Sequence, residues 1–419
     1  MNLPGTSEAR VREWLEAGPD EAPTELVEAV LAELPAARQR RRWEVGPSAL
    51  PPAAFRLAAA AVVLVFVAAL IVVGGVLLAG TQPKPLTWTP ISDVGALSTG
   101  SIADAISWKD GVLVVGSAST TGRTVGLAWT SADGLTWRVV GSGATTLDLG
   151  MSRVATNGAV LVALAYACAP GPGYCGASTL LASADGVSWR IATISGCCSP
   201  GDLSFLDVTS GGPGFVAVGG RGANTLTAAA VATSVDGSAW DAGPSNAQAF
   251  GGSSMSGVAA SPSRLVAVGL SPAGPSAWLS ADGRAWAVEP LPTAAGSALV
   301  NDVAAGEGRF VAVGRLDTSA AVWTSVDGTS WSMEAGTPSL DSARMTRVLW
   351  TGREYLALGS SSAGNGLAWL SVDGVGWTRL DTGSIFAGTP IVAGARLGSI
   401  VELFGTSSAG RQIVAIGHP

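Results

Sequence analysis

Histidine is almost missing from this chain: 419 residues include one, His418. Its scarcity removes the usual general base and most zinc catalysis from consideration. Tyrosines number three and cysteines four, charged residues make up 13%, and the net charge is −7. The sequence therefore offers no basic field for nucleic acid, and no motif calls for a cofactor or a metal. What is abundant is glycine, with 56 residues, and tryptophan, with 15. That balance suits many short strands and tight turns better than a helical bundle.

One long uncharged run stands out, "LAAAAVVLVFVAALIVVGGVLLAG" at residues 57–80. About 24 residues at 1.5 Å each cover a hydrocarbon core of roughly 30 Å, which predicts a transmembrane helix. A buried core helix would not need a run apolar on every face. A signal peptide would have a shorter apolar region nearer the start. Arg38, Arg40, Arg41 and Arg42 precede the run, whereas "TQPKPL" follows it with one lysine. The positive-inside rule then puts residues 1–55 in the cytoplasm and everything after the 81–85 linker outside. The head carries two short helical patterns, "SEARVREWLEAG" and "TELVEAVLAELP". In the second, Leu26, Val30 and Leu34 form an apolar face suited to a cytoplasmic protein partner.

The rest of the chain repeats itself. A phrase of the form Ser-x-Asp-Gly-x-x-Trp occurs six times, first as Ser131, Asp133 and Trp137. It recurs with Asp185 and Trp189, Asp236 and Trp240, Asp282 and Trp286, Asp327 and Trp331, and Asp373 and Trp377. The aspartates lie 45 to 52 residues apart, the spacing of propeller blades. Between them recur "GVLVVG", "GFVAVG" and "RFVAVG", and ahead of those, strands such as "NDVAAG". One unit thus reads as four strands with an Asp-Gly turn before the last, which is one blade. The pair predicts a type I′ hairpin with both central residues at positive φ. The tryptophan supplies a ring to pack between blades. An aspartate present in every repeat points to folding rather than to six calcium or catalytic sites.

Trp88 falls where a seventh tryptophan would sit, and "PIVAGA", "SIVELFG" and "RQIVAIG" supply three further strands. The expected fold over 86–419 is an all-β seven-bladed β-propeller with four-stranded blades. Its last blade is closed by the strand that follows the linker, leaving no open sheet edge.

The repeated phrase resembles the Asp-box propellers of the sialidase-like superfamily, including photosystem II assembly-factor-like propellers, over roughly residues 86–419. The usual Asp-box has one more residue between Asp and Gly, so this is a shortened form. The resemblance implies either binding, as in the photosystem relatives, or glycoside hydrolysis. Sialidases use an arginine triad, a tyrosine nucleophile paired with a glutamate, an acidic general acid and an Arg-Ile-Pro motif. No Arg-Ile-Pro occurs here, and the tyrosines are Tyr166, Tyr174 and Tyr355. The order of short helices, arginine cluster, span and outer domain is also similar to membrane-anchored bacterial regulators such as anti-sigma factors. Their His-Cys-Cys zinc motif is missing.

Aligned on the second strands, the units bring Asp104, Arg153, Asp207, Asp302 and Arg347 into register, with Gly257 and Ile391 in the other two blades. Such residues would ring one mouth of the central channel. They are either a self-satisfied ion-pair network or a site where the arginines take a carboxylate or phosphate and the aspartates take hydroxyls or amines. Cys168 and Cys175 lie in one loop, and Cys197 and Cys198 in the next, both expected at the ring's end of the propeller. Outside the membrane they suit two bridges between the loops, with a four-thiolate zinc site as the alternative. The linker would enter at the Asp-Gly end, turning that end toward the membrane and the ring away from it. The function expected is a non-catalytic, membrane-anchored extracytoplasmic receptor or scaffold that binds a protein, a glycan or an anionic small ligand. The alternatives are a sialidase-like hydrolase and a transmembrane regulator.

Overall fold

The refrain exemplified by "GVLVVG" is apolar at every position because it forms a strand covered on both faces. Within Gly111–Thr120, Val112, Leu113, Val114 and Val115 are all buried. The computed structural model describes residues 86–120, 123–140, 148–168, 175–196, 202–222, 227–243, 247–335 and 339–419. The head at 1–55, the apolar run at 57–80 and the linker at 81–85 lie outside the described residues. Among the described residues no helix is long and apolar enough to cross a membrane.

The described strands form seven separate sheets, each a blade. The inner strands of blades one to seven are Ser101–Trp108, Gly150–Thr156, Leu203–Gly211, Ser254–Ala260, Ala298–Gly306, Ala343–Trp350 and Ile391–Leu397. Six blades have four strands. Blade three gains a fifth, Thr193–Ser195, laid parallel to its outer strand Ala239–Ala242. Blade seven takes three strands from the C-terminal part of the chain and its outermost, Thr87–Pro90, from the N-terminal side of the propeller. Thr87 pairs with His418 and Pro90 with Ala415, antiparallel. The architecture is the closed seven-bladed β-propeller that the repeats predict.

The core lies between blades rather than within one. Seven buried clusters each draw on two neighbouring blades. Trp137 of blade one stands edge-on to Phe404 of blade seven, centroids 5.7 Å apart. A second tryptophan set lies in the third strands. Trp278, Trp323 and Trp369 donate their indole N–H to Ala249, Pro292 and Ser339 carbonyls. These carbonyls belong to the segments leading into the same blades, so buried rings also satisfy backbone that no ladder reaches.

Each inner strand carries a one-residue bulge, at Ala103 in blade one and at the matching place in the other six. The glycine ending the "VLVVG" refrain sits opposite that bulge, Gly116 facing Ile102 and Gly314 facing Val300. A Cβ at either position would collide with the carbonyl of Ser101 or Leu299. The bulge re-aims the next residue toward the channel.

The closing junction departs from this pattern. Beneath the Asp-Gly turns of blades three to six lie Val162, Val216, Val266 and Val311 of the preceding blade. Under the turn of blade one, that place belongs to Glu402 of blade seven. It is fully buried, and neither carboxyl oxygen has a hydrogen-bond partner. Burial, with Asp133 nearby as the lesser cause, pushes its pKa from 4.5 up to about 7.

Candidate functional site

The six Asp-Gly phrases build one turn six times. Ser131 Oγ accepts the N–H of Gly134 at 2.9 Å and donates to Asp133 Oδ1 at 2.9 Å. The same Oδ1 accepts the N–H groups of Leu135 and Thr136, and Trp137 Nε1 donates to the Gly134 carbonyl. The pattern repeats from Ser183, Ser234, Ser280, Ser325 and Ser371. Only the glycine has positive φ, +73° at Gly134 and +75° at Gly328, and none of the six aspartates does. The turn is therefore not type I′: an aspartate that receives the N–H groups two and three residues ahead keeps an ordinary φ. Those backbone bonds hold the carboxyls of Asp133, Asp185, Asp236 and Asp282 below the usual range. Each aspartate is occupied by its own turn.

The five charges of the ring do come together. Each lies immediately after its blade's bulge, as do Gly257 in blade four and Ala393 in blade seven. Alignment by sequence points to Ile391 in blade seven, but the residue paired with the second strand as Asp104 is with Val115 is Ala393, opposite Phe404. Arg347 Nη2 is 3.0 Å from Asp104 Oδ1, and its Nε is 4.0 Å from Asp302 Oδ2. Arg153 Nε is 3.6 Å from Asp207 Oδ1. Each aspartate also reaches into the next blade. Asp104 accepts the N–H of Val154, Asp207 that of Val258 and Asp302 that of Val348, at 2.8 to 3.0 Å. The ring thus ties blades one to two, three to four and five to six.

Burial acts strongly on these groups. Asp104, Asp207 and Asp302 are buried. Desolvation, reinforced by Asp302, raises the Asp207 pKa to about 7, and desolvation likewise raises that of Asp302.

The ring stands at mid-strand, so it forms a waist in the channel and not a mouth. Above it a cavity of about 500 Å³ is lined by Asp104, Asp207, Asp302 and Arg347, and then by residues nearer the strand ends such as Thr209 and Thr351. Exposure grows from the buried aspartates to Ser107 and Gly352, so the cavity opens where the inner strands end. The Asp-Gly turns lie at that same end, because strands alternate in direction along each blade. Arg396 lines this wall, held by an ion pair with buried Glu354 of the neighbouring blade. Neither Tyr166 nor Tyr355 lines the cavity; Tyr174 lies outside the described residues.

Cys168 ends the second strand of blade two and Cys175 opens the third, their backbones paired directly across the ladder. Cys197 and Cys198 lie outside the described residues. The Arg396–Glu354 pair gave no signal in the sequence, because its members come from different blades. Glu402 did give one, as a lone charge within the apolar "SIVELFG".

No family model and no curated protein matches the chain. Among solved structures it is similar to the Pyrococcus horikoshii acylaminoacyl peptidase, at 9% identity and a TM-score of 0.48, over 76% of this chain and 51% of that one. It is similar to the WD40 propeller domain of Doa1, at 11% and 0.48, over 80% and 96%. A third is Trypanosoma rangeli sialidase in complex with sialic acid, at 10% and 0.39, over 81% and 59%. The chain spans about half the length of the peptidase and less than two thirds of the sialidase. These likenesses are of fold alone.

Proposed function

We propose that this protein is a membrane-anchored, extracytoplasmic binding module of the Asp-box propeller type, with residues 57–80 as its anchor. Its small ligand occupies the central cavity. The observation that carries the reading is a polar cavity of about 500 Å³ with the ion-paired Asp104, Asp207, Asp302 and Arg347 at its waist. That is the size and lining of a ligand pocket. The outer strand of blade seven begins at Thr87, at the Asp-Gly end of that blade. A hydrolase of the sialidase type would want a tyrosine in the cavity. Among the described residues the tyrosines, Tyr166 and Tyr355, lie elsewhere. The cysteine loops are a second surface for a protein partner.

The test is a thermal-shift and turnover screen of the full chain in detergent against saccharides, amino acids, amines and small anions. Thr209→Trp, which fills the cavity, serves as control. A shift that the control loses, without product, supports a receptor. Product formation moves the protein to the hydrolases, and a shift that Thr209→Trp retains places the ligand elsewhere.

A further inference from the structure

The ring alternates. Blades one, three and five contribute Asp104, Asp207 and Asp302, and blades two and six contribute Arg153 and Arg347. By that rhythm blade four should supply a third cation, yet its residue is Gly257. The reason is steric: a Cβ there would stand 2.8 Å from both Cα and Oδ1 of Asp302. Three carboxylates therefore share two guanidinium groups at the waist, and the two flanking blade four are Asp207 and Asp302. Asp207 Oδ2 takes the Val258 N–H, but Oδ1 receives no hydrogen bond, with Arg153 Nε at 3.6 Å as its nearest ion-pair partner. Asp207 is 8% exposed and lines the cavity. A carboxylate that lines the cavity with one oxygen outside the hydrogen-bond network, beside a second carboxylate, attracts a cation that reaches it. Arg396, farther up the wall, is already held by Glu354.

We infer that the ligand of the central cavity carries a guanidinium or primary ammonium group, which meets Asp207 Oδ1 from the cavity. The inference rests on the cavity being a ligand site, as proposed above. A guanidinium reproduces the fork that Arg347 offers Asp104 and Asp302, and donates to Asp207 Oδ1. A simple anion meets the excess carboxylate instead. Because Asp207 must be ionised to hold the cation, binding strengthens as pH rises through about 7. The other groups facing it, Asp104, Asp302, Arg153 and Arg347, set the local field.

The experiment is a titration of the full chain in detergent with methylguanidinium, methylammonium and potassium chlorides and with sodium acetate, at pH 6 and pH 8. The readouts are melting temperature and calorimetric heat. Expected is saturable stabilisation by methylguanidinium or methylammonium, stronger at pH 8, and weakened at least roughly tenfold in Asp207→Asn, as loss of a buried charge pair implies. The asparagine keeps an acceptor for Val258, so this variant folds. Equal stabilisation by potassium chloride assigns the effect to screening and overturns the inference, as does stabilisation by acetate alone or by no cation. A neutral saccharide that binds in a manner blocked by Thr209→Trp, with no cation effect, leaves the cavity as a binding site and removes only its cationic preference.

Discussion

Glu402→Gln isolates one charge at the junction where the propeller closes. In the folded chain the carboxyl titrates near 7 against 4.5 when free, because it is buried without a partner and faces Asp133. The raised value means the folded state holds a proton that the unfolded state has already released. Stability from this group is therefore complete below pH 4.5, is lost as pH climbs toward 7, and levels off above it. At about 1.4 kcal/mol per pH unit, the loss reaches about 3 kcal/mol at pH 8 and only a few tenths at pH 4. Glutamine keeps the shape and removes the titration. Urea unfolding of both proteins across that range should give curves that nearly coincide at pH 4. At pH 8 the variant's midpoint should lie higher by roughly 1 M, for a slope of about 3 kcal/mol/M. A difference that does not change with pH would refute the reasoning. So would a wild-type curve that gains stability relative to the variant as pH rises.

Three further outcomes follow from the contacts. Ser325→Ala removes the acceptor for the Gly328 N–H and a donor to Asp327, and should cost about 1–2 kcal/mol in urea unfolding. Asp104→Ala strips Arg347 of its closest carboxylate and Val154 of its acceptor. It should cost about 3–5 kcal/mol, whereas Asp104→Asn, which keeps an acceptor, should cost less by the same assay. Glu402→Val, copying Val162 and Val216 at the matching positions, should raise the melting temperature most above pH 7.

The blade count, strand order and closure through Trp88 were legible because each follows from a repeated local pattern. Register along the second strands was sufficient to bring five charges together, since those strands are the least irregular part of every blade. It failed at Ile391. There the register that sets Asp104 opposite Val115 sets Ala393 opposite Phe404, so Ile391 falls two positions short of the channel residue. The Asp-Gly pair suggested a type I′ turn, yet the serine and aspartate side chains satisfy the turn's N–H groups themselves, and only the glycine takes positive φ. The direction in which the cavity opens depends on how far along each inner strand the ring lies, a depth that strand order alone does not encode. Pairs such as Arg396 with Glu354 join residues of separate blades and needed the closed ring.

The most direct test of the account is hydrogen exchange of the full chain with and without the compound that gives the largest thermal shift. Protection is predicted at the distal halves of the inner strands, residues 207–210, 302–305 and 347–352, on the Asp-Gly side of the ring. Protection confined to the loops around Cys168 and Cys175, with none along the inner strands, would contradict the claim that the central cavity is the binding site.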